Sequence, residues 1–558
     1  MQRLKDIVVS PVAVFFLTAL LIIVKAWPLF IDPRLWAEDA TRHFADAAEH
    51  AWYVTLFLPE QGYLSLTANL GALIGVQWPL LMWPYAPLAV SFVIQLLPLL
   101  LLTYAEGTYF YPLRRKILFM CAYTALMMSA SYQETWLNVV NSQFYLVLAT
   151  AVILISYSSR AKWLQRAVLL LSGLSGVLSA AMLPVFFLKA RQSKVREHTI
   201  QTKILAVAAS IQLGYVVYCR LVGDYSPFRE SGFSWQSMGG FYIRTILENF
   251  VPLTRFHINL APKGTMAVIN GLVGAAFFAC LLKSRRSEIR LLLLGYLILS
   301  LLIFFGSLGD KNAFTDPAVG GRYFLPLSGL LIFALLFAYM HTRELLHRAV
   351  LALLIIMFFT SALTTAFTRQ PPFFTGPSWK QSVAALGKKP FGTLRTWPEG
   401  WKLFYCKPAV CNDHTRTSVM EDTQIVQEKG FGVTTKRLQE LYIVASGKGV
   451  ILRVPEIRYI EPTRTLLRMQ YKMPVQGVVR IQYTLDGKKA TFEKRGAIRD
   501  ILLLELPRAK RISNFRITLL GGKGKYRVAN ITRYTLTKLP SPPMRISFYA
   551  LPPRASYL

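Results

Sequence analysis

The sequence predicts a polytopic α-helical membrane domain of about nine to eleven spans, followed by a soluble, mainly-β domain with β-sandwich-like character. Three observations carry that expectation. The 558-residue chain is 53% hydrophobic and only 16% charged, whereas a soluble globular protein carries about 25% charged residues. The deficit is confined to the part before about Phe367, where long apolar runs alternate with short charged loops. Beyond Phe367 no run reaches the roughly 18 apolar residues needed to cross hydrocarbon, and short alternating segments take over. The expected division is a membrane domain over 1–367, a linker and mixed segment over 368–440, and the β-rich domain over 441–558.

The first apolar run, 11–30, follows Met-Gln-Arg-Leu-Lys-Asp and lacks a small-residue cleavage site, so it reads as a signal anchor. Arg3 and Lys5 favour a cytoplasmic N-terminus, which puts 31–61 outside. Further apolar runs cover about 63–82, 86–105, 117–134, 143–157, 166–189, 203–222, 264–283, 289–307, 323–340 and 349–367. Basic loops at 114–116, 160–166, 189–196, 283–290 and 343–348 are assigned to the cytoplasm. That assignment requires 63–105 to cross an odd number of times. It also requires 166–189 to enter and return as two half-helices around Ser172-Gly173-Leu174-Ser175-Gly176. Broken helices are tolerated at membrane depth where protein lines the break. The count is then odd and the tail lies outside. Four outer loops result, 31–61, 133–141, 223–263 and 309–322, and they hold the unusual polar residues.

In the tail, Pro371-Pro372 and Gly376-Pro377 read as linker. Strands are expected at 442–445, 449–454, 465–471, 477–484, 500–506, 514–520 and 526–536, with a hairpin turn at Asp486-Gly487. From Thr368 onward there are 34 Lys and Arg against 12 Asp and Glu, so +22 of the net +34 sits there. Such a surface favours anionic lipid headgroups or an acidic glycan. An outside tail argues against nucleic acid. Cys121, Cys219 and Cys280 lie in or beside apolar runs and read as small hydrophobes. Cys406 and Cys411 can close a disulfide in an oxidising compartment, or stay reduced. Their spacing is unlike a zinc site, and no metal ligands are assigned.

The chemistry concentrates just after the first span, at Asp32-Pro33-Arg34-Leu35-Trp36-Ala37-Glu38-Asp39. Phe44, Ala48 and Trp52 then recur at four-residue spacing, with Asp46 and Glu49 elsewhere on the surface, which predicts an interfacial amphipathic helix over 40–57. Glu38 and Asp39 are thereby held at the outer membrane boundary, where a carboxylate can act as general base on a hydroxyl at headgroup level. Acids in a first helical turn also complement the helix dipole, a purely structural reading.

A first span, an acidic motif opening the first outer loop, an interfacial helix, many spans and an outer soluble domain together resemble the GT-C superfamily of membrane glycosyltransferases. The likeness is strongest at Leu35-Trp36-Ala37-Glu38-Asp39 and Gly62-Tyr63-Leu64. Asn138-Val139-Val140-Asn141-Ser142-Gln143-Phe144 and Gly321-Arg322-Tyr323-Phe324-Leu325-Pro326 look like bacterial members. The resemblance covers roughly 1–370 and implies an inverting glycosyltransferase in a bacterial inner membrane. Such an enzyme moves a sugar from a polyprenyl-phosphate carrier to an envelope glycan or lipid on the outer face, as in lipopolysaccharide or O-antigen modification. The first-loop base maps onto Glu38 or Asp39. Ala40 stands where many relatives place Gly, and no clear Asp-x-Asp is present, so no cofactor is assigned and a divalent metal stays open.

A polyprenyl-phosphate leaving group needs its charge stabilised as the glycosidic bond breaks. Arg322, at the outer start of a span, suits a phosphate, with Lys311 as a second cation; snorkelling at a helix end is the bland alternative. Arg34 and Tyr323 are counted with the substrate-binding residues. Asn141 and Gln143 are assigned to sugar hydroxyls, or else to capping and interhelical bonds. Tyr63 is placed in the acceptor groove, or simply at the interface. Arg244, Arg255, Glu134, Asp310, Asp316 and His257 are weaker candidates. Two other readings compete: a flippase for a lipid-linked saccharide, which calls for repeats and mid-membrane polar residues that are not evident, and a noncatalytic scaffold whose basic tail grips anionic polymer.

Overall fold

A computed structural model describes residues 10–60, 62–106, 110–193, 195–222, 235–251, 274–275, 277–283, 286–306, 320–368, 374–387, 389, 391–397, 402–406, 416–418, 424–426, 431–437, 440–445, 450–454, 457–471, 475–498, 501–520 and 524–536. The chain divides into two compact units. One comprises Met1–Leu35 and Trp52–Gly376, the other Trp36–Ala51 and Pro377–Leu558.

The first unit is helical. Five of its described helices are long and apolar enough to cross a membrane: Leu80–Tyr104, Arg196–Leu221, Ser287–Phe305, Gly321–His341 and Leu345–Ala366. Three shorter apolar helices, Pro11–Lys25, Leu66–Val76 and Ser142–Ile155, accompany them. This is the make-up of a polytopic membrane domain. The helices Ser142–Ile155 and Gly321–His341 are apolar on nearly every side and accordingly form the centre of the bundle. Outer helices such as Leu345–Ala366 expose Leu353, Ile356 and Leu363 instead, as a lipid-facing surface requires.

Within 63–105 one described helix reaches crossing length. Leu66–Val76 spans 11 residues, about 16 Å at 1.5 Å per residue, short of a hydrocarbon core of about 30 Å. The interruption expected near 172–176 is present: helix Lys162–Leu174 stops, and the short helices Val177–Ala180 and Leu183–Gln192 follow. Gly176 has φ 136°, a conformation closed to other residues, and an added Cβ there would lie 2.3 Å from Gln143 Oε1. Two groups at the break find partners across the bundle. Ser175 Oγ accepts from the Thr67 amide at 3.2 Å. The buried Gln212 side chain donates to the carbonyls of Leu64 at 2.9 Å and Gly173 at 3.2 Å, and accepts from the Leu64 amide at 3.1 Å. The run expected at 264–283 lies largely outside the described residues.

The single amphipathic helix expected over 40–57 is not formed. A π-helical turn, Asp39–Phe44, leads into a short helix Ala45–Glu49, His50 is extended at φ −122° and ψ 160°, and a separate helix covers Trp52–Leu56. The supposed apolar face also splits. Phe44 is fully buried while Ala48 and Trp52 are exposed, so Phe44 serves a protein core and not a membrane-facing stripe.

In the second unit, the π-helical turn packs on strand Lys402–Cys406, which pairs with Phe391–Arg395 in an antiparallel hairpin. Helix Trp379–Leu386, capped by the Ser378 hydroxyl on the Gln381 amide, packs on the other strand of that hairpin. Ala40, Phe44, Trp379, Leu394, Trp397 and Leu403 supply its buried side chains. These elements occupy part of the stretch read as linker. Ten further strands form one hydrogen-bonded set, with Lys488–Ile498, Val475–Leu485, Ile501–Leu520, Ile457–Tyr471, Gly524–Leu536, Glu440–Ala445 and Phe431–Arg437 in that spatial order. Leu485 pairs with Lys488 across Asp486 (φ 45°) and Gly487 (φ 86°), the two positive φ values of a type I′ hairpin turn. The strands expected at 500–506 and 514–520 are one continuous strand. The strand Lys488–Ile498 is masked in the sequence by its four basic side chains. Cys406 ends its strand, and Cys411 lies outside the described residues, as does any pairing between them.

Candidate functional site

The chain leaves the first helix through Trp27–Ile31 and enters the second unit at Trp36. Trp36 makes a parallel bridge with Trp397, and their rings stack with centroids 4.2 Å apart and planes 28° from parallel. Ala37 and Ala40 turn inward, 3% and 0% exposed. This fixes the two residues between them: Asp39 is buried at 1% exposure, and Glu38 is half-buried with an αR backbone. The Thr41 hydroxyl donates to the Ala37 carbonyl at 3.0 Å and secures the turn. π-Helical turns are rare and frequently occur at functional sites. A half-buried glutamate at the start of a braced turn meets the first demand on a general base, access to the proton it removes. Asp39 in the first turn equally complements the helix dipole.

The first unit holds a polar loop over 129–141 that is buried almost throughout. Buried polar groups need partners, and this loop supplies many of its own. Asn138 Nδ2 donates to the carbonyls of Glu134 and Trp136 at 2.9 and 3.2 Å, and its Oδ1 accepts from the Asn141 amide at 3.1 Å. Asn141 Nδ2 also donates to the Glu134 carbonyl, at 3.0 Å. Asn141, assigned from sequence to sugar hydroxyls or to capping and interhelical bonds, thus braces the loop.

The loop lies against the start of helix Gly321–His341. An added Cβ on Gly321 would fall 1.9 Å from the Ser131 carbonyl oxygen, so only glycine permits the approach. One residue on, Arg322 Nη1 meets Glu134 Oε1 at 2.8 Å, with side-chain exposures of 26% and 12%. The Arg322 guanidinium also stands over the Tyr323 ring at 5.0 Å, and Tyr323 packs edge-on against Phe144. Glu134 Oε2 is buried without a hydrogen-bond partner. A second pair, Arg244 Nε and Glu248 Oε2, lies 3.4 Å apart, at 0% and 1% exposure. Glu248 Oε1 accepts from the Ser131 hydroxyl at 2.8 Å, Arg244 lies 4.2 Å over the Phe324 ring, and the Tyr132 hydroxyl donates to Ser328 Oγ at 2.8 Å. Loop, helix 321–341 and segment 244–249 are therefore stitched together by buried charge and hydroxyl groups.

The remaining predicted residues fall elsewhere in the first unit or outside the described residues. Gln143 Nε2 donates to the Tyr63 hydroxyl at 3.1 Å, joining two candidates in a direct bond. Arg34 Nη2 donates to the Phe374 carbonyl at 3.5 Å, while its Nε and Nη1 are buried without hydrogen-bond partners. Burial pulls the Arg34 guanidinium below its ordinary pKa, and nearby Asp32 opposes that shift. Phe374 meets Trp136 edge-on, and Lys25 lies 4.8 Å from the Trp136 ring centre. Lys311, Arg255, His257, Asp310 and Asp316 lie outside the described residues. Among the described residues no three His, Cys, Asp or Glu side chains converge to hold a metal ion, and no step is routed through one.

Arg322 and Glu134 were each named from sequence, and the structure pairs them. Glu248, Ser131, Tyr132 and Trp397 were missed. Arg244 and Glu248 did carry a signal, an opposite-charge pair one helical turn apart. Trp397 carried none.

No protein-family model matches the chain, and no curated protein matches it. Among solved structures, it is similar to the cryo-EM structure of arabinofuranosyltransferase AftD from Mycobacteria, with TM-score 0.32 and 11% identity over 95% of this chain and 60% of that one. The chain thus spans about three fifths of that protein's length, and a likeness this distant carries no conclusion about fold or activity.

Proposed function

We propose that this protein is an inverting membrane glycosyltransferase of the GT-C kind. In this reading it moves a sugar from a polyprenyl-phosphate carrier to an envelope glycan or lipid on the outer face of a bacterial inner membrane. The observation that carries the reading is the Glu38-Asp39 pair, which lies a short way after the first apolar helix and opens a braced π-helical turn, with Glu38 at its N-cap. Glu38 is the base in this account, because that residue is partly exposed while Asp39 is buried. It removes the proton from the acceptor hydroxyl as that oxygen attacks the anomeric carbon. The bond to the carrier phosphate breaks on the opposite face, and polyprenyl phosphate leaves. Arg322 is the cation for that departing phosphate. Glu134 holds its fork in place and leaves about a quarter of the side chain open. Lys311 is the second cation. Tyr63 lines the acceptor groove, Asn141 and Gln143 hydrogen-bond sugar hydroxyls, with Gln143 also bonded to Tyr63, and Arg34 and Tyr323 contact substrate. The basic tail, as a β-sandwich-like domain outside the membrane, holds anionic glycan or lipid headgroups.

Sidedness tests this reading. Ala48→Cys places a thiol at an exposed position of the acid-bearing segment, and Arg343→Cys places one in an expected cytoplasmic loop. In intact cells a membrane-impermeant maleimide is expected to modify the first thiol and spare the second, read by mass at each peptide. Protection of the first with modification of the second would place the acids on the wrong side for a lipid-linked donor.

A further inference from the structure

The carboxylate pair belongs with the C-terminal elements. Trp36–Ala51 is part of the same compact unit as Pro377–Leu558, although more than three hundred residues separate them in sequence. The segment is anchored at one end by the Trp36–Trp397 backbone bridge and ring stack, and along its length by the turn Asp39–Phe44 lying on strand Lys402–Cys406. The anchor is itself built. Trp397 is 6% exposed and follows strand Phe391–Arg395, whose Leu394 is fully buried; helix Trp379–Leu386, with Trp379 at 1%, packs behind that strand. An indole stack of this geometry restricts rotation of the chain at Trp36. That is two residues before Glu38.

From this juxtaposition we infer that Trp397 is a positioning residue for the first-loop acids: the stretch 377–406 is a brace for the reaction centre and not a linker. The inference rests on the proposed role of Glu38 and Asp39. Trp397 touches no reacting atom. It acts through Trp36, which sets where the π-helical turn begins and hence where the Glu38 carboxylate points. A misplacement of about 1 Å at a reacting group costs on the order of 10²-fold in rate, so removing the stack should lower turnover and leave donor binding nearly intact.

The test uses the full-length protein in lipid nanodiscs with four variants, Trp397→Ala, Trp397→Phe, Trp36→Ala and the double Trp36→Ala/Trp397→Ala, read in two independent ways. Amide hydrogen exchange of peptides covering 37–47 reports whether the segment is held, and steady-state transfer gives kcat and donor KM. Expected for Trp397→Ala are faster exchange over 37–47 and a kcat lower by about 10- to 100-fold, with KM within about twofold. Trp397→Phe, which keeps an aromatic face, is expected to restore both readouts. The double variant is expected to be no worse than the worse single, because both singles remove the same contact. Unchanged exchange in Trp397→Ala overturns the brace directly. Faster exchange with wild-type kcat, while Glu38→Gln or Asp39→Asn lowers kcat, overturns it too, since the acids then work without it. Faster exchange with all three variants at wild-type rate means that the reading of the acids has failed, and the inference falls with it.

Discussion

Glu38→Gln is expected to lower sugar transfer by about 10²- to 10⁴-fold, the usual contribution of a positioned general base, with donor KM and expression close to wild type. Glutamine keeps the shape and most of the hydrogen-bonding capacity of glutamate but cannot take a proton. The acceptor oxygen must then attack as a hydroxyl, and the proton must leave through water. The side chain is half-buried and sits just before the π-helical turn, so the exchange removes no core packing. Asp39→Asn acts differently. Asp39 is 1% exposed, and neutralising a buried carboxylate disturbs the turn that carries Glu38, so a smaller fall in kcat is expected together with faster exchange of the turn. Initial rates with a radiolabelled lipid-linked sugar check both. A reversal, with Asp39→Asn inactive and Glu38→Gln near wild type, would move the base by one residue and leave the site where it is.

The second large effect concerns stability. Arg244→Met should destabilise the helical unit by about 3–5 kcal/mol, because it leaves Glu248 charged and buried without its partner. The pair sits at 0% and 1% exposure, and Glu248 also accepts the Ser131 hydroxyl, which ties the loop to segment 244–249. Replacing both partners, Arg244→Met with Glu248→Leu, should recover most of the loss, since apolar groups of similar volume often replace a buried ion pair at little cost. The recovered protein should still bind donor more weakly, because the loop that carries Glu134 has lost a tie and Arg322 loses alignment with it. Denaturation midpoints in detergent measure the first expectation and donor KM the second. An Arg244→Met variant that unfolds with wild type would show that the pair contributes nothing net.

The parts legible in the sequence are those set by local chemistry. Long apolar runs announced the helices. Ser172-Gly173-Leu174-Ser175-Gly176 announced the break, because glycine leaves the backbone free to adopt the φ of 136° seen at Gly176. Asp486-Gly487 announced its turn for the same reason. The illegible parts depend on distant partners. Phe44, Ala48 and Trp52 have helical spacing, yet Phe44 finds a core built largely from residues 379–403, and His50 adopts an extended backbone that ends the helix. Asn141 has the chemistry of a sugar contact, and nothing nearby in the sequence shows that the turn around Leu137, with φ 52°, also puts the Glu134 carbonyl within its reach. Trp397 lies in Thr396-Trp397-Pro398-Glu399-Gly400, which has the composition of a loop, and nothing nearby marks it as the partner of Trp36.

The account requires that the bond between sugar and carrier phosphate is cleaved. Purified protein in nanodiscs, given a panel of polyprenyl-phosphate sugars and an envelope glycan acceptor, should release one polyprenyl phosphate for every sugar transferred, with inverted configuration in the product. A protein that carries the lipid-linked sugar intact from one leaflet to the other, with no free polyprenyl phosphate formed, would contradict it.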